Sequence, residues 1–263
     1  SDISRGDIHE LLDRLLQDNR VGVAREVRKH LRALFNWAVE RSIVAHNPAG
    51  SLRRRDLAYP DDDGRALQDL EIRAIWKAAD EMGYAYGPLY QLLLLTGQRT
   101  GDWANARWPE VDTKGKVFVI PANRYKTRRE HAVPLSPDVL TLLEALPRWS
   151  AGPFLFSATS SSGTQPVNGY GTAAPRLETL ACEEFRQLSN DPEAQLPHYT
   201  IKDFRKTCRT RLTALGVREE IAERILGHSQ QKLVRTYNRH EYLDEKRQAM
   251  DAYAKHIRDV VQL

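Results

Sequence analysis

Four short stretches hold the residues whose types and spacing suit chemistry, and all four are cationic. Over residues 200–215, Lys202, Lys206 and Arg209 project from one side of a helix. Ile201, Phe204, Cys208, Leu212 and Leu215 form a stripe on the other side, with Arg205 at the seam. A seam arginine can be half buried, with its guanidinium held in one direction. Over 123–129, Arg124, Lys126, Arg128 and Arg129 crowd the connection between two strand-like runs. Cations on such a tip can grip phosphates or enter a nucleic-acid groove. Thr96-Gly97-Gln98-Arg99-Thr100-Gly101-Asp102 sets an arginine between two glycines, whose backbone freedom permits a tight turn that aims the side chain. Leu226-Gly227-His228-Ser229 is followed by Arg235, Tyr237 and Arg239. Taken singly, each stretch is equally a solvated surface: a basic helix face, a basic hairpin, a helix turn whose Asp102 pairs with a neighbouring cation, a surface tyrosine.

The elements that must position these residues follow from periodicity. Residues 7–18 and 23–45 are expected to be amphipathic helices, the second with Val27, Leu31, Leu34, Phe35 and Ala38 inward and Asn47-Pro48 as its stop. Residues 50–64 have the composition of a linker, with three consecutive arginines (Arg53, Arg54, Arg55) and three consecutive aspartates (Asp61, Asp62, Asp63). Adjacent carboxylates diverge, so the aspartates are expected to be solvated charge rather than a metal site. Beyond the linker, helices are expected at 67–80 and 86–96, then a short one capped by the side chain of Thr100. Two strands at 116–120 and 130–135 flank the basic connection. A helix opens at Ser136-Pro137. Residues 150–174 are expected to be loop, and helices follow at 175–188, 200–215, 218–226, 230–238 and 243–258. Gly216 and Gly227 supply left-handed stops. In the last stretch Tyr242, Met250, Tyr253, Ile257 and Val260 are apolar, fitting either packing on their own domain or docking on a neighbouring copy. The expected fold class is mainly α with a small antiparallel β-sheet. The expected domains are 1–49, a linker at 50–64, and 65–263.

Composition sets outer bounds. The chain has 263 residues, 41% hydrophobic and 28% charged, which suits a globular chain and excludes a disordered one. The net charge of +4 is too mild to identify a partner, so the distribution of cations matters more than their sum. No purely apolar run is longer than that from Leu92 to Leu95, far short of a membrane span, and the charged first twenty residues do not read as a signal peptide. Two cysteines cannot build a disulfide framework or a cysteine zinc site, and they point to a reducing cytoplasm. Phosphate-loop, dinucleotide, zinc-protease and serine-hydrolase motifs are lacking, and no acid pair is placed to hold Mg²⁺, so neither metal nor cofactor is expected.

The four stretches, in their order, resemble the tyrosine recombinases of the phage-integrase type. Thr96-Gly97-Gln98-Arg99, with Ala106-Arg107-Trp108 and Val111-Asp112 after it, is similar to the segment of that family's first catalytic arginine. Lys126 with Val133-Pro134-Leu135 is similar to the hairpin of the catalytic lysine. Lys202-Asp203-Phe204-Arg205 matches the His-x-x-Arg box, with lysine in place of histidine. Leu226-Gly227-His228 matches the Leu-Gly-His box, and Tyr237, nine residues on, matches the nucleophile.

The resemblance covers about residues 65–240, and more loosely the helix ending at Asn47-Pro48-Ala49. It implies a catalytic domain preceded by the end of a helical core-DNA-binding domain. Position 1 is Ser, which with the missing earlier helices leads to the expectation of a longer natural protein. The resemblance further implies a site-specific recombinase, the integrase of a prophage or integrative element. It would cut and rejoin double-stranded DNA at attachment sites through a 3′-phosphotyrosyl link, acting as a homotetramer in the bacterial cytoplasm, with host or element-encoded accessory proteins as possible partners. Implied catalytic residues are Tyr237, Arg99, Arg205, Lys126, His228 and Lys202. Implied DNA contacts are Arg53, Arg54, Arg55, Arg124, Arg128, Arg129, Lys206, Arg209, Arg235 and Arg239. A type IB topoisomerase-like enzyme that nicks and reseals, a non-catalytic DNA-binding relative and a protein-interaction module are the alternatives.

Overall fold

The structure, a computed structural model, describes residues 3–18, 20–50, 64–228 and 242–262. Chain contacts divide it into two units, Ser1–Asp63 and Gly64–Leu263. The expected run at 230–238, with Tyr237, Arg235 and Arg239, lies outside the described residues, as does the triplet Arg53, Arg54 and Arg55.

In the smaller unit, α1 (Arg5–Gln17) begins at a capping box. Ser4 accepts from the amide of Asp7, and Asp7 accepts from the amide of Ser4. It packs on α2 (Val21–Glu40) through Ile8, Leu12, Ala24 and Phe35. α2 ends before the expected Asn47-Pro48 stop. The amide of Ser42 bonds the carbonyl of Val39 and that of Ile43 bonds Ala38, with Ser42 in the left-handed region. This pair of bonds closes the helix, with serine in the place glycine usually takes. Asn47 instead ties the following loop back, donating to the carbonyl of Arg32 and the side chain of Asn36. The expected inward stripe is also corrected: Phe35 and Ala38 are buried, but Leu34 is 54% exposed and Trp37 beside it 48%.

The larger unit is built around α4 (Tyr86–Thr96), whose residues from Leu89 to Thr96 are all buried. A helix that is apolar all round must be surrounded. α3 (Asp69–Met82), α8 (Ile201–Ala214) and α10 (Leu243–Val261) pack against it. The three-stranded antiparallel sheet has the order β1 (Val111–Asp112), β2 (Val117–Ile120), β3 (His131–Pro134). β1 has only two residues, too few for an alternating pattern to announce it in the sequence. Phe118 of β2 pairs with Val133 and stacks on Trp103 of α5 (Thr100–Ala104), with ring centres 4.3 Å apart. α5 has no side-chain cap: Arg99, not Thr100, holds the N-cap position.

α6 (Pro137–Glu144) starts as expected, with Ser136 accepting from the amide of Val139 and proline in the first turn. α7 (Tyr170–Ser189) starts five residues earlier than expected, so Pro175 lies in its second turn. Tertiary bonds set that start. Tyr90 donates to the carbonyl of Tyr170, and Tyr86 to that of Asn168. α9 (Glu219–Ile225) follows α8.

α10 packs on its own domain. Met250, Tyr253, Ile257 and Val260 are buried, and the Tyr253 hydroxyl donates to the carbonyl of Leu94. The start of the unit is fastened to α8. The amide of Arg65 donates to Asp203, Lys206 donates to the carbonyl of Gly64, and the Arg65 guanidinium reaches the carbonyls of Pro197 and His198 and the carboxylate of Glu71. Among the described residues no helix is long and apolar enough to cross a membrane.

Candidate active site

The last turn of α9 is where three of the four cationic stretches meet. The final carbonyls of a helix have no partner within it and carry its negative end. Here they are taken by side chains from elsewhere in the fold. The carbonyl of Ile225 accepts from Gln98 Nε2 at 2.9 Å and lies 3.1 Å from His131 Nε2. The carbonyl of Leu226 accepts from Arg205 Nη2 and from the Tyr125 hydroxyl, which also reaches the carbonyl of Gly227 at 3.3 Å. Gln98 belongs to the α4–α5 junction, Tyr125 and His131 to the β2–β3 hairpin, and Arg205 to α8.

Two glycines let these parts approach. Gly97 (φ +62°) ends α4, and a Cβ there would come within 2.9 Å of Cys208 and Leu226. Gly227 (φ +61°) ends α9, and a Cβ there would lie 1.7 Å from the Tyr125 hydroxyl. Both positions need a left-handed backbone and also have no room for a methyl group.

Arg205 is fixed at both ends of its guanidinium, with Nη1 donating to the carbonyl of Gly97 at 2.9 Å and Nη2 to Leu226. Burial, and then the nearby Arg99 cation, push its pKa below the usual arginine value. Arg99 sits over the Tyr125 ring, 5.0 Å from its centre, and lies 3.7 Å from Asp102. Arg99 Nη1 and Asp102 Oδ2 are both buried without a hydrogen-bond partner. Burial raises the Asp102 carboxyl above its usual range, against the pull of Arg99 and Arg124. The two guanidiniums are thus neighbours in a partly desolvated place, where their mutual repulsion favours an anion between them.

Lys126 is exposed directly after Tyr125, which is buried and stacked on His131 at 4.7 Å. The tip therefore carries its lysine on a rigid base. Lys202 is exposed in the first turn of α8, one turn before Arg205. Neither lysine bonds another described residue. His228 is half exposed just past Gly227, with Nδ1 2.5 Å from Glu223 Oε2.

The expected DNA-contact residues divide. Arg124 is turned inward, donating to the carbonyl of Asp102 at 2.7 Å and to Glu110 at 2.6 Å. Arg209 is paired with Glu223 and Glu219, and Lys206 with the carbonyl of Gly64. Arg128 and Arg129 are exposed on the tip, Arg128 donating to the carbonyl of Asn123.

The pattern of the sequence did not single out Gln98, Tyr125, His131 or Glu223. Tyr125 and His131 flank Lys126, Arg128 and Arg129 in sequence, which is the one signal they gave. Among the described residues no group of three or more His, Cys, Asp or Glu could hold a metal ion.

Comparison with known proteins places this arrangement. The model of the phage integrase family matches residues 65–243. Prophage integrase IntZ of Escherichia coli K12 is 26% identical over 241 residues, covering 90% of this chain and 56% of that protein. Prophage integrase IntA of the same strain is 30% identical over 168 residues, 63% of this chain and 37% of the relative. The chain thus spans about half the length or less of these two relatives. A lambda integrase tetramer bound to a Holliday junction shares the fold, with a TM-score of 0.62 at 19% identity over 91% of this chain and 66% of that one. The chain belongs to the phage integrase family of tyrosine recombinases.

Proposed function

We propose that this protein is a site-specific DNA recombinase, the integrase of a prophage or integrative element, acting on double-stranded DNA in the cytoplasm. The observation that carries the reading is the convergence of Arg205, the Arg99 junction, the Lys126 hairpin and His228 on the last turn of α9. Such a cluster fits one phosphodiester.

Arg99 and Arg205 take the non-bridging oxygens through their forked donors, a geometry lysine cannot copy. Being fixed before substrate arrives, Arg205 spends little reorganisation on the charge that builds at phosphorus. Tyr237 gives its phenolic proton to water as it attacks phosphorus, the bond to the 5′-oxygen breaks, and Lys126 gives that oxygen a proton. His228 donates to the phosphate. Lys202 serves as a donor to the phosphate or the phenolate. Rejoining is the reverse step with a different 5′-hydroxyl. The bond energy stays in the phosphotyrosyl link, so the route needs neither metal nor nucleotide.

Residues 1–49 serve as the end of a core-binding domain and 50–64 as a linker, with Arg53, Arg54 and Arg55 near the DNA backbone. Arg128, Arg129, Arg235 and Arg239 contact flanking phosphates. Arg124, Lys206 and Arg209 would need to leave intradomain partners to join them. Strand exchange needs two paired sites, which supports a homotetramer, as in the lambda integrase tetramer on a Holliday junction. Accessory proteins from the host or the element would set direction.

The test is a nicked suicide duplex spanning the end of the DNA element that carries the gene. The protein should form a covalent adduct visible on a denaturing gel, and Tyr237→Phe should abolish it. No adduct with the unaltered protein overturns the reading. Relaxation of supercoils without joining of two sites would make it a topoisomerase.

A further inference from the structure

We propose that Glu223 is the positioning residue of His228, fixing which imidazole nitrogen meets the scissile phosphate. The inference rests on the reading of His228 as a phosphate donor.

Glu223 holds His228 at two points. Its main-chain carbonyl accepts from the amide of His228 at 3.0 Å, and the amide of Gly227 bonds the carbonyl of Arg224. These two bonds close α9 and leave little freedom at the His228 backbone. Its carboxylate then takes the ring: Oε2 lies against Nδ1. An ionised carboxylate only accepts, so Nδ1 must carry a proton, and Nε2 is the nitrogen left to face a ligand; it donates to the phosphate when the ring carries its second proton there, as imidazolium.

The carboxylate is itself held. Oε1 accepts from Arg209 Nε at 2.6 Å, and Arg209 also reaches Glu219. Burial pushes the Glu223 carboxyl up, but hydrogen bonds from Arg209 and His228 outweigh it and hold its pKa below the usual value. Glu223 is therefore an acceptor at neutral pH with one oxygen for each partner. The charged and titratable groups facing this pair are Arg209 from α8, Glu219 and Glu223 from α9, and, on the other side of Gly227, Tyr125 from the hairpin.

Arg209 thus has a use other than a phosphate contact: it locks the acid that locks the histidine. At metal sites, carboxylates that orient a histidine in this way are typically worth about 10–100-fold, and the lower end of that range is the expectation for this phosphate donor.

The experiment is a double-mutant cycle on adduct formation with the nicked duplex, using the whole chain. Glu223→Ala should slow cleavage about tenfold. In the His228→Ala background the same change should cost nothing further, because there is no ring left to position. An equal loss in both backgrounds, or no loss from Glu223→Ala alone, overturns the inference.

A DNA-free measurement covers a misfolded alanine variant. In Glu223→Gln, Arg209 still demands the amide oxygen, so the amide NH₂ faces the ring. The ¹⁵N spectrum of the neutral imidazole should then show the proton moved from Nδ1 to Nε2. A ring that keeps its Nδ1 proton overturns the proposal. If His228→Ala leaves cleavage unchanged, the phosphate-donor reading fails instead, and the ¹⁵N result still decides whether Glu223 orients the ring.

Discussion

Arg205 and Lys126 serve one phosphate in the proposed reaction, and the fold treats them in opposite ways. Arg205 is seated between two helix ends and bonded to the carbonyls of Gly97 and Leu226. Lys126 stands in solvent on a hairpin whose neighbouring residue, Tyr125, is buried. A group that stabilises charge gains most from being fixed in advance in a place poor in water. A group that hands over a proton must reach an atom whose position changes as the bond breaks, and a mobile side chain on a rigid base suits that task. In that proposal the difference separates stability from chemistry: Arg205 would contribute to both, Lys126 to chemistry alone.

The largest expected effect is at the seated end. Arg205→Lys should cut the rate of adduct formation by about 10²–10³-fold, because lysine cannot hold two carbonyls and two phosphate oxygens at once. It should also lower the melting temperature, as one carbonyl loses its donor. A variant that cleaves normally would remove the distinction altogether. Lys126→Ala should slow cleavage about 10²-fold or more, as loss of a general acid does. It should leave the melting temperature unchanged, and a DNA substrate whose leaving group needs no proton should restore its rate. A drop in stability would show that the tip is held by its lysine rather than by Tyr125.

Gly227→Ala tests the seat without touching a cation. The added methyl meets the Tyr125 hydroxyl in a left-handed backbone, so denaturant unfolding should show a loss of about 2–3 kcal/mol. A further effect is on acidity. Burial, and then the Lys246 cation, lower the pKa of His131 from 6.5 to about 3. The unfolded chain then takes up a proton that the folded chain refuses. Stability from this group is complete above about pH 6.5 and is lost as pH falls toward 3, at up to about 1.4 kcal/mol per unit. His131→Phe should flatten that slope in denaturant titrations between pH 6.5 and 4.5.

Much of this arrangement was legible in the residues themselves. α4 matches its expected span because Gly97 ends it, and α6 starts where Ser136-Pro137 says. The cations were found by type and order, because arginine at a helix seam and lysine on a tip leave local marks. Their holders left none. Gln98 and Arg205 meet carbonyls more than 100 and about 20 positions away, and no local pattern encodes which carbonyl a helix end will offer. The start of α7 was missed for the same reason: Tyr86 and Tyr90, some 80 positions earlier, fix it against the local reading of Pro175. Arg124 and Arg209 look like DNA contacts by spacing. Only the fold reveals Glu110, Glu219 and Glu223 beside them.

The fastening of Gly64 and Arg65 to α8 bears on how this protein can be cut and pulled. Asp203, the acid that anchors the Arg65 amide, sits between Lys202 and Arg205 and also caps the helix that carries both. A severed catalytic unit that begins at α3 would lack the strap and should lose order in the first turn of α8. One that begins at Gly64 keeps it. In the joined chain, tension arriving at residue 64 is delivered to the turn bearing two of the proposed phosphate ligands, which makes that residue a tow point rather than a slack hinge.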